Sequence, residues 1–345
     1  MRQNDMGAVI LKKSDLQSWV ESLLPSYRVV APRVEGEGPV RYRPLLVAEP
    51  PALEGLRPLR APKEHFVPQV EPLLTFRGSG KAVTIETAAP SQAATLILGV
   101  RPCDARALTR LDDVFLGRKD PDDLYEARRK ATLLVGLACN TPSWGCFCTS
   151  VGGSPAGTEG LDLLFTDLGD RYHVAVLSDA GRDLAAHAAL GPAADADLAQ
   201  AEAIHAAASA RMPALFDAEA LAGKVEWEAP VWLRHARRCL ACGACSFLCP
   251  TCHCFDIQDE VTAEGGARFR CWDTCQFGEF TRMGAGHNPR PTQTERLRQR
   301  VSHKFKYLVE EFGRLGCTGC GRCVEACPVN IDIRSVLSEI EGGER

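Results

Sequence analysis

The sequence predicts an α/β N-terminal domain followed by a smaller, α-helical module. Three observations predict it. Two continuous apolar runs of strand length, residues 95–100 (TLILGV) and 131–138 (ATLLVGLA), flank an amphipathic stretch, the pattern of a strand–helix–strand unit in a parallel sheet. An Ala-rich stretch at 180–222 then separates the two halves. Toward the far end, Cys239-x-x-Cys242-x-x-Cys245-x-x-x-Cys249-Pro250 and Cys317-x-x-Cys320-x-x-Cys323-x-x-x-Cys327-Pro328 repeat one spacing. The expected organisation is an α/β domain at 1–180, a helical bridge at 181–234 and the module at 235–345, with a large insert at 250–316.

Taking the elements in order, residues 9–24 carry Leu11, Leu16, Trp19, Val20, Leu23 and Leu24 at helical spacing, with Ser14 as N-cap. Residues 25–92 are broken by Pro and Gly, with short strands expected at 27–30 and 45–48, and residues 63–72 read as an extended covering loop, favoured over a ligand-contact segment. Gly78-Ser79-Gly80-Lys81 lacks the upstream Gly and the following Ser or Thr of a phosphate loop, so no nucleotide is expected there. After the first buried strand, Leu108, Leu111 and Phe115 mark one helix face and Asp104 stands at the N-cap position. If the two apolar strands are parallel neighbours, Cys103 and Cys139 emerge together at their carboxyl ends. That is the edge where open α/β sheets bind ligands. Residues 161–168 and 171–177 flank Gly169-Asp170 as a β-hairpin. Residues 180–222 read as one or two plain helices.

Composition narrows the function classes. The 345 residues hold 40 Lys+Arg against 44 Asp+Glu with no basic stripe, so nucleic acid is not an expected partner. Sixteen cysteines are too many for an ordinary cytosolic chain and too clustered for a disulfide scaffold. Thiolate metal ligands need a reducing compartment. Residues 1–15 are polar, without an apolar signal segment, and no run approaches the length of a membrane span. A cytoplasmic protein without a transmembrane segment is expected.

The two cysteine runs have the spacing of [4Fe–4S] sites. Three close thiolates wrap one cubane, while the fourth, followed by Pro, turns to the other cluster. One cluster is therefore expected on Cys239, Cys242, Cys245 and Cys327, and the second on Cys317, Cys320, Cys323 and Cys249. Zinc also takes four thiolates from CxxC pairs, but two runs of identical spacing with a trailing Pro favour two [4Fe–4S] clusters. For Cys103, Cys139, Cys146 and Cys148 two readings stay open. One is a third iron–sulfur cluster, with a helix N-terminus favouring the Cys103 thiolate and Asp104 replacing any cysteine that points away. The other is four buried, inert cysteines. The insert adds Cys252, His253, Cys254, Cys271 and Cys275, read as a further metal site on the four cysteines or as packing that tunes the clusters. Arg296, Arg298, Arg300, His303, Lys304 and Lys306 predict a positive helix, either ordinary surface or a docking face for an acidic partner or flavin subunit.

At GVRPCDARAL, LACNTPSWGCFCTSVGGSP and CPTCHCFDIQDE…WDTCQFGEFTRMGAGHNPRP the chain resembles the iron–sulfur β subunit of cytoplasmic sulfhydrogenase-type [NiFe] hydrogenases and the related A subunit of anaerobic sulfite reductase. The resemblance covers about residues 95–178 and 235–335. It implies an electron-transfer subunit beside a flavin/NAD(P)H-binding reductase-like subunit and a separate catalytic subunit for hydrogen or sulfur chemistry. The implied role is electron passage between those two in a cytoplasmic [NiFe] hydrogenase. The same role in a sulfite, polysulfide or heterodisulfide-type reductase is the first alternative. A stand-alone iron–sulfur oxidoreductase, with substrate at the Cys103/Cys139 edge, is the second. Cys271 departs from the pattern, which calls for a non-cysteine beside Trp272-Asp273. The chain carries neither the CxxC pairs of a [NiFe] site nor a nucleotide fingerprint, so the catalytic chemistry is expected elsewhere.

Overall fold

The computed structural model describes residues 7–342 apart from 35, 37, 47–50, 56, 80–81, 92 and 187–188. The chain opens with β1 (Ala8–Lys12), α1 (Leu16–Leu23), β2 (Arg28–Arg33) and β3 (Arg41–Pro44), and continues through β4 (Val70–Ser79) and β5 (Ala82–Thr87). Next come β6 (Thr95–Val100), α2 (Pro102–Leu116), α3 (Asp123–Lys130), β7 (Thr132–Leu137), β8 (Leu163–Asp167) and β9 (Arg171–Val176). The Ala-rich region gives α4 (Asp179–Ala185), β10 (Leu190–Pro192), α5 (Asp195–Ala210) and α6 (Ala218–Leu221). The cysteine-rich part holds α7 (Val231–Ala236), α8 (Ala244–Phe247), β11 (Phe255–Thr262), β12 (Gly265–Trp272) and α9 (Gln293–Ser302), then α10 (Leu308–Phe312), α11 (Arg322–Glu325) and α12 (Ile333–Gly342).

The first sheet is eight-stranded, in the order β10-β1-β9-β8-β7-β6-β2-β3. Its centre is parallel, β2–β6, β6–β7 and β7–β8, as continuous apolar strands require when both faces are covered. Leu96 and Leu98 pack with α1 and α4 on one side, whereas Ile97 and Val100 join Leu108, Leu111 and Tyr125 on the other. The outer strands are antiparallel, including the β8–β9 hairpin, so the N-terminal region is an α/β domain on a mixed sheet.

Several local expectations change. The helix expected over 9–24 starts only at Leu16, because Ala8–Lys12 is a strand seated between β9 and β10. Asp15, not Ser14, holds the N-cap position. The strand expected at 45–48 forms earlier, at Arg41–Pro44, and residues 47–48 lie outside the described residues, as do Gly80 and Lys81. Asp104 is not an N-cap either: Arg101 occupies that position, and Asp104 sits inside α2.

The second module, expected to be α-helical, is helical only in part. The insert supplies the β11–β12 hairpin, which completes a second sheet in the order β11-β12-β4-β5. β12 pairs antiparallel with β4 along most of its length, so this sheet takes two strands from each end of the chain.

Candidate metal centres

The two cysteine runs fold alike. Ala241 and Gly319 have φ of 54° and 65°, and Gly243 and Gly321 have 74° and 76°. Each run curls around its first sulfur: Ala241 N–H donates to Cys239 Sγ and Gly319 N–H to Cys317 Sγ, both at 3.4 Å. A one-turn helix follows each, α8 carrying Cys245 and α11 carrying Cys323. Ile331 N–H donates to Cys327 Sγ at 3.1 Å. One pocket is lined by Cys239, Cys242, Cys245, Cys323 and Cys327. An adjacent one is lined by Cys249, Cys317, Cys320 and Cys323. Leu297 and Ile331 give the first an apolar wall, Phe147 the second, and neither lining contains a carboxylate.

The donor chemistry fits iron–sulfur clusters. Burial pushes the thiols of Cys317 and Cys323 up to about 11 and about 12, and raises Cys245. Buried thiols disfavour their charged form until positive iron offsets it, at which point they release their protons and become ligands. Among the described residues no three His, Cys, Asp or Glu side chains converge on a point suited to a single metal ion. Zinc needs its four thiolates about 2.3 Å from one centre, whereas a cubane spreads them over its corners.

The N-terminal cysteines lie against the second run. Cys103 follows β6 and Cys139 follows β7, as the parallel pairing dictates, and Cys148 is buried beside them. The backbones interlock: Phe147 N–H donates to Gly319 O at 2.8 Å, and a Cβ on Gly319 would stand 2.5 Å from Cys148 N and Cα. Cys146 Sγ lies 3.7 Å from Cys320 O. Cys103 and Cys148 line one pocket with Arg106 and Thr318. Burial, then the Asp104 charge, pushes the Cys103 thiol well up, the opposite of the thiolate expected from a helix N-terminus. Burial likewise raises Cys139, and brings Cys146 to about 11 and Cys148 to about 12. Asp104 gives both carboxylate oxygens to Arg322, at 2.5 and 2.7 Å, in a fully buried pair.

Within the insert all cysteines are free thiols: Cys252 hydrogen-bonds to Cys249, which is thereby pulled down, and Cys254 hydrogen-bonds to Cys275. Cys271 stands apart in β12, opposite Asp256 and Val70. The basic helix is not the solvated face its sequence suggests. Arg296, Arg298, Arg300 and Lys304 are all under 10% exposed. Arg298 stacks its guanidinium 3.6 Å over the Trp227 ring, and Arg300 and Lys304 turn toward the cysteine pockets. Sequence reasoning missed these inward cations; the apolar residues Leu297, Val301, Phe305 and Leu308, buried on the same stretch, were the available signal.

Among the described residues no helix is long and apolar enough to cross a membrane. Residues 238–331 match the family described as 4Fe-4S dicluster domain. The chain is 33% identical over 253 residues to sulfhydrogenase 2 subunit beta of Pyrococcus furiosus, which spans 72% of this chain and 74% of that protein. The paired cysteine runs and this similarity lead to one conclusion: the chain belongs to the sulfhydrogenase β-subunit family, as an iron–sulfur electron-transfer subunit.

Proposed function

We propose that this chain passes electrons between a flavin/NAD(P)H-binding reductase-like subunit and a catalytic metal subunit of a cytoplasmic [NiFe] hydrogenase. The observation that supports this best is the pair of adjacent cysteine-lined pockets, the first with five cysteines and the second with four, which share Cys323. Cys239, Cys242, Cys245 and Cys327 would hold one [4Fe–4S] cluster, and Cys249, Cys317, Cys320 and Cys323 the other. Bound in such a pocket, a cluster accepts and gives up one electron at a time. The chain holds the sulfurs with backbone N–H groups and excludes water with Phe147, Leu297 and Ile333. Cys103, Cys139, Cys146 and Cys148 would hold a third cluster, and the contact between the 145–148 loop and Gly319 would bring it next to the second.

Iron and acid-labile sulfide per chain, measured on anaerobically purified protein with reduced-state EPR, test this reading. About twelve iron atoms are expected for three clusters. About eight would leave the N-terminal cysteines structural and keep the transfer role. Zinc, or no reducible cluster, would overturn the reading.

A further inference from the structure

Arg300 and Lys304 stand four residues apart on one stretch of helix, 5% and 3% exposed. Arg300 Nη2 donates to Cys245 O at 3.0 Å, and its Nε is buried with no partner. Lys304 Nζ donates to Thr251 Oγ1 at 2.7 Å and to Gly316 O at 3.2 Å. Lys304 lies in a π-helical turn, His303–Tyr307, an irregularity frequent at functional sites. Among the described residues neither cation has a carboxylate within ion-pairing distance. Other buried cations nearby do: Arg322 is matched by Asp104 and Arg57 by Glu325. A full charge buried without a counter-charge is strongly unfavourable. What these two face instead is thiol sulfur: Arg300 lines both cysteine pockets, and Lys304 lines only the one with Cys249, Cys317, Cys320 and Cys323. Lys63 is buried on that same side, with Nζ 4.3 Å from the Trp272 ring centroid and 2.7 Å from Cys252 O, but burial disfavours its charged form.

We propose that Arg300 and Lys304 are the buried counter-charges of the two clusters and hold them at unequal potentials, the one on Cys249, Cys317, Cys320 and Cys323 being higher. This rests on the two-cluster reading above. Taking up one electron adds one negative charge to a cluster. A fixed cation nearby favours the reduced form and raises the potential, more so in a low-dielectric interior and less with distance. The shared cation therefore raises both sites, and the unshared one raises its own. An electron shared between the two sites then resides mainly on the second.

The test is an EPR-monitored redox titration of the full chain, after iron analysis, on wild type and on Arg300→Met, Lys304→Met, Arg300→Lys and Lys304→Arg. Of the two signals from the Cys239–Cys249 and Cys317–Cys327 runs, Lys304→Met is expected to shift the higher-potential one to more negative values and leave the other in place, with the signal of an N-terminal cluster unmoved. Arg300→Met is expected to lower both, and the charge-conserving variants to restore values near wild type. Loss of iron in Arg300→Met but not in Arg300→Lys would also support a counter-charge. Unmoved midpoints, equal shifts of both signals in Lys304→Met, or iron loss in both variants of one residue would overturn the assignment. A wild type without reducible clusters would overturn the cofactor reading and this inference together.

Discussion

Gly319 is where two distant pieces of chain meet with no side chain between them. Its φ of 65° suits glycine, and an added Cβ would collide with the Cys148 backbone, which cannot swing aside as a side chain can. Gly319→Ala is therefore expected to cost about 2–5 kcal/mol, the sum of a left-handed alanine and an overpacked contact. Ala241→Gly, at the matching position of the first run, is expected to stay within about 1 kcal/mol of wild type. Chemical-denaturation midpoints of the two variants check the pair, and an undisturbed Gly319→Ala would refute the contact. The spacing of the cysteines made this position legible as part of a metal site, but not as a junction. Nothing at Cys148 announces that its backbone will lie against residue 319.

Among elements, the second sheet depends on one buried cation. Arg270 of β12 reaches Glu71 of β4, which Arg128 of α3 also binds, and it bonds Asp122 at the N-cap of α3. Replacing Arg270 with Met leaves Glu71, 2% exposed, with half its partners and is expected to cost about 3 kcal/mol. Hydrogen exchange should show β11, β12 and β4 opening faster while β6 and β7 stay protected; uniform acceleration would mean that the sheet is not a separate unit. The central strands were readable because burial on both faces leaves an unbroken apolar run. The hairpin was not, because β11 is exposed along its whole length and carries little burial signal. Its alternation of Phe255, Ile257 and Val261 was the faint trace available. β1 was misread for another reason: Leu11 is as buried as the helix residues Trp19 and Val20, so the two periods blurred into one.

At the scale of the whole molecule, the two halves of the chain meet at the second cysteine run. Loop 145–148 touches the Cys317–Cys327 run, and Phe147 and Val151 share a core with Trp232, Phe305 and Ile333. Replacing Cys320 with Ser removes a thiol from the pocket nearest that junction and is expected to halt NAD(P)H-linked turnover in the assembled complex. Turnover equal to wild type would remove Cys320 from the path. Motif spacing made the two cysteine runs legible as a dicluster region, which the family match over residues 238–331 supports. The charges around them were hidden, because basic residues on a helix read as surface until the fold turns them inward.

The pairing of β4 with β12 also bears on how the protein is made. Partners such as Val70 and Cys271 are separated by roughly 200 residues, a contact of high order whose loop must close late. At roughly 5–20 residues per second of synthesis, β4 and β5 wait about 10–40 s on the ribosome as a lone hairpin, and isolated hairpins are barely stable in water. Completion of the second sheet is therefore timed by translation and not by chain diffusion.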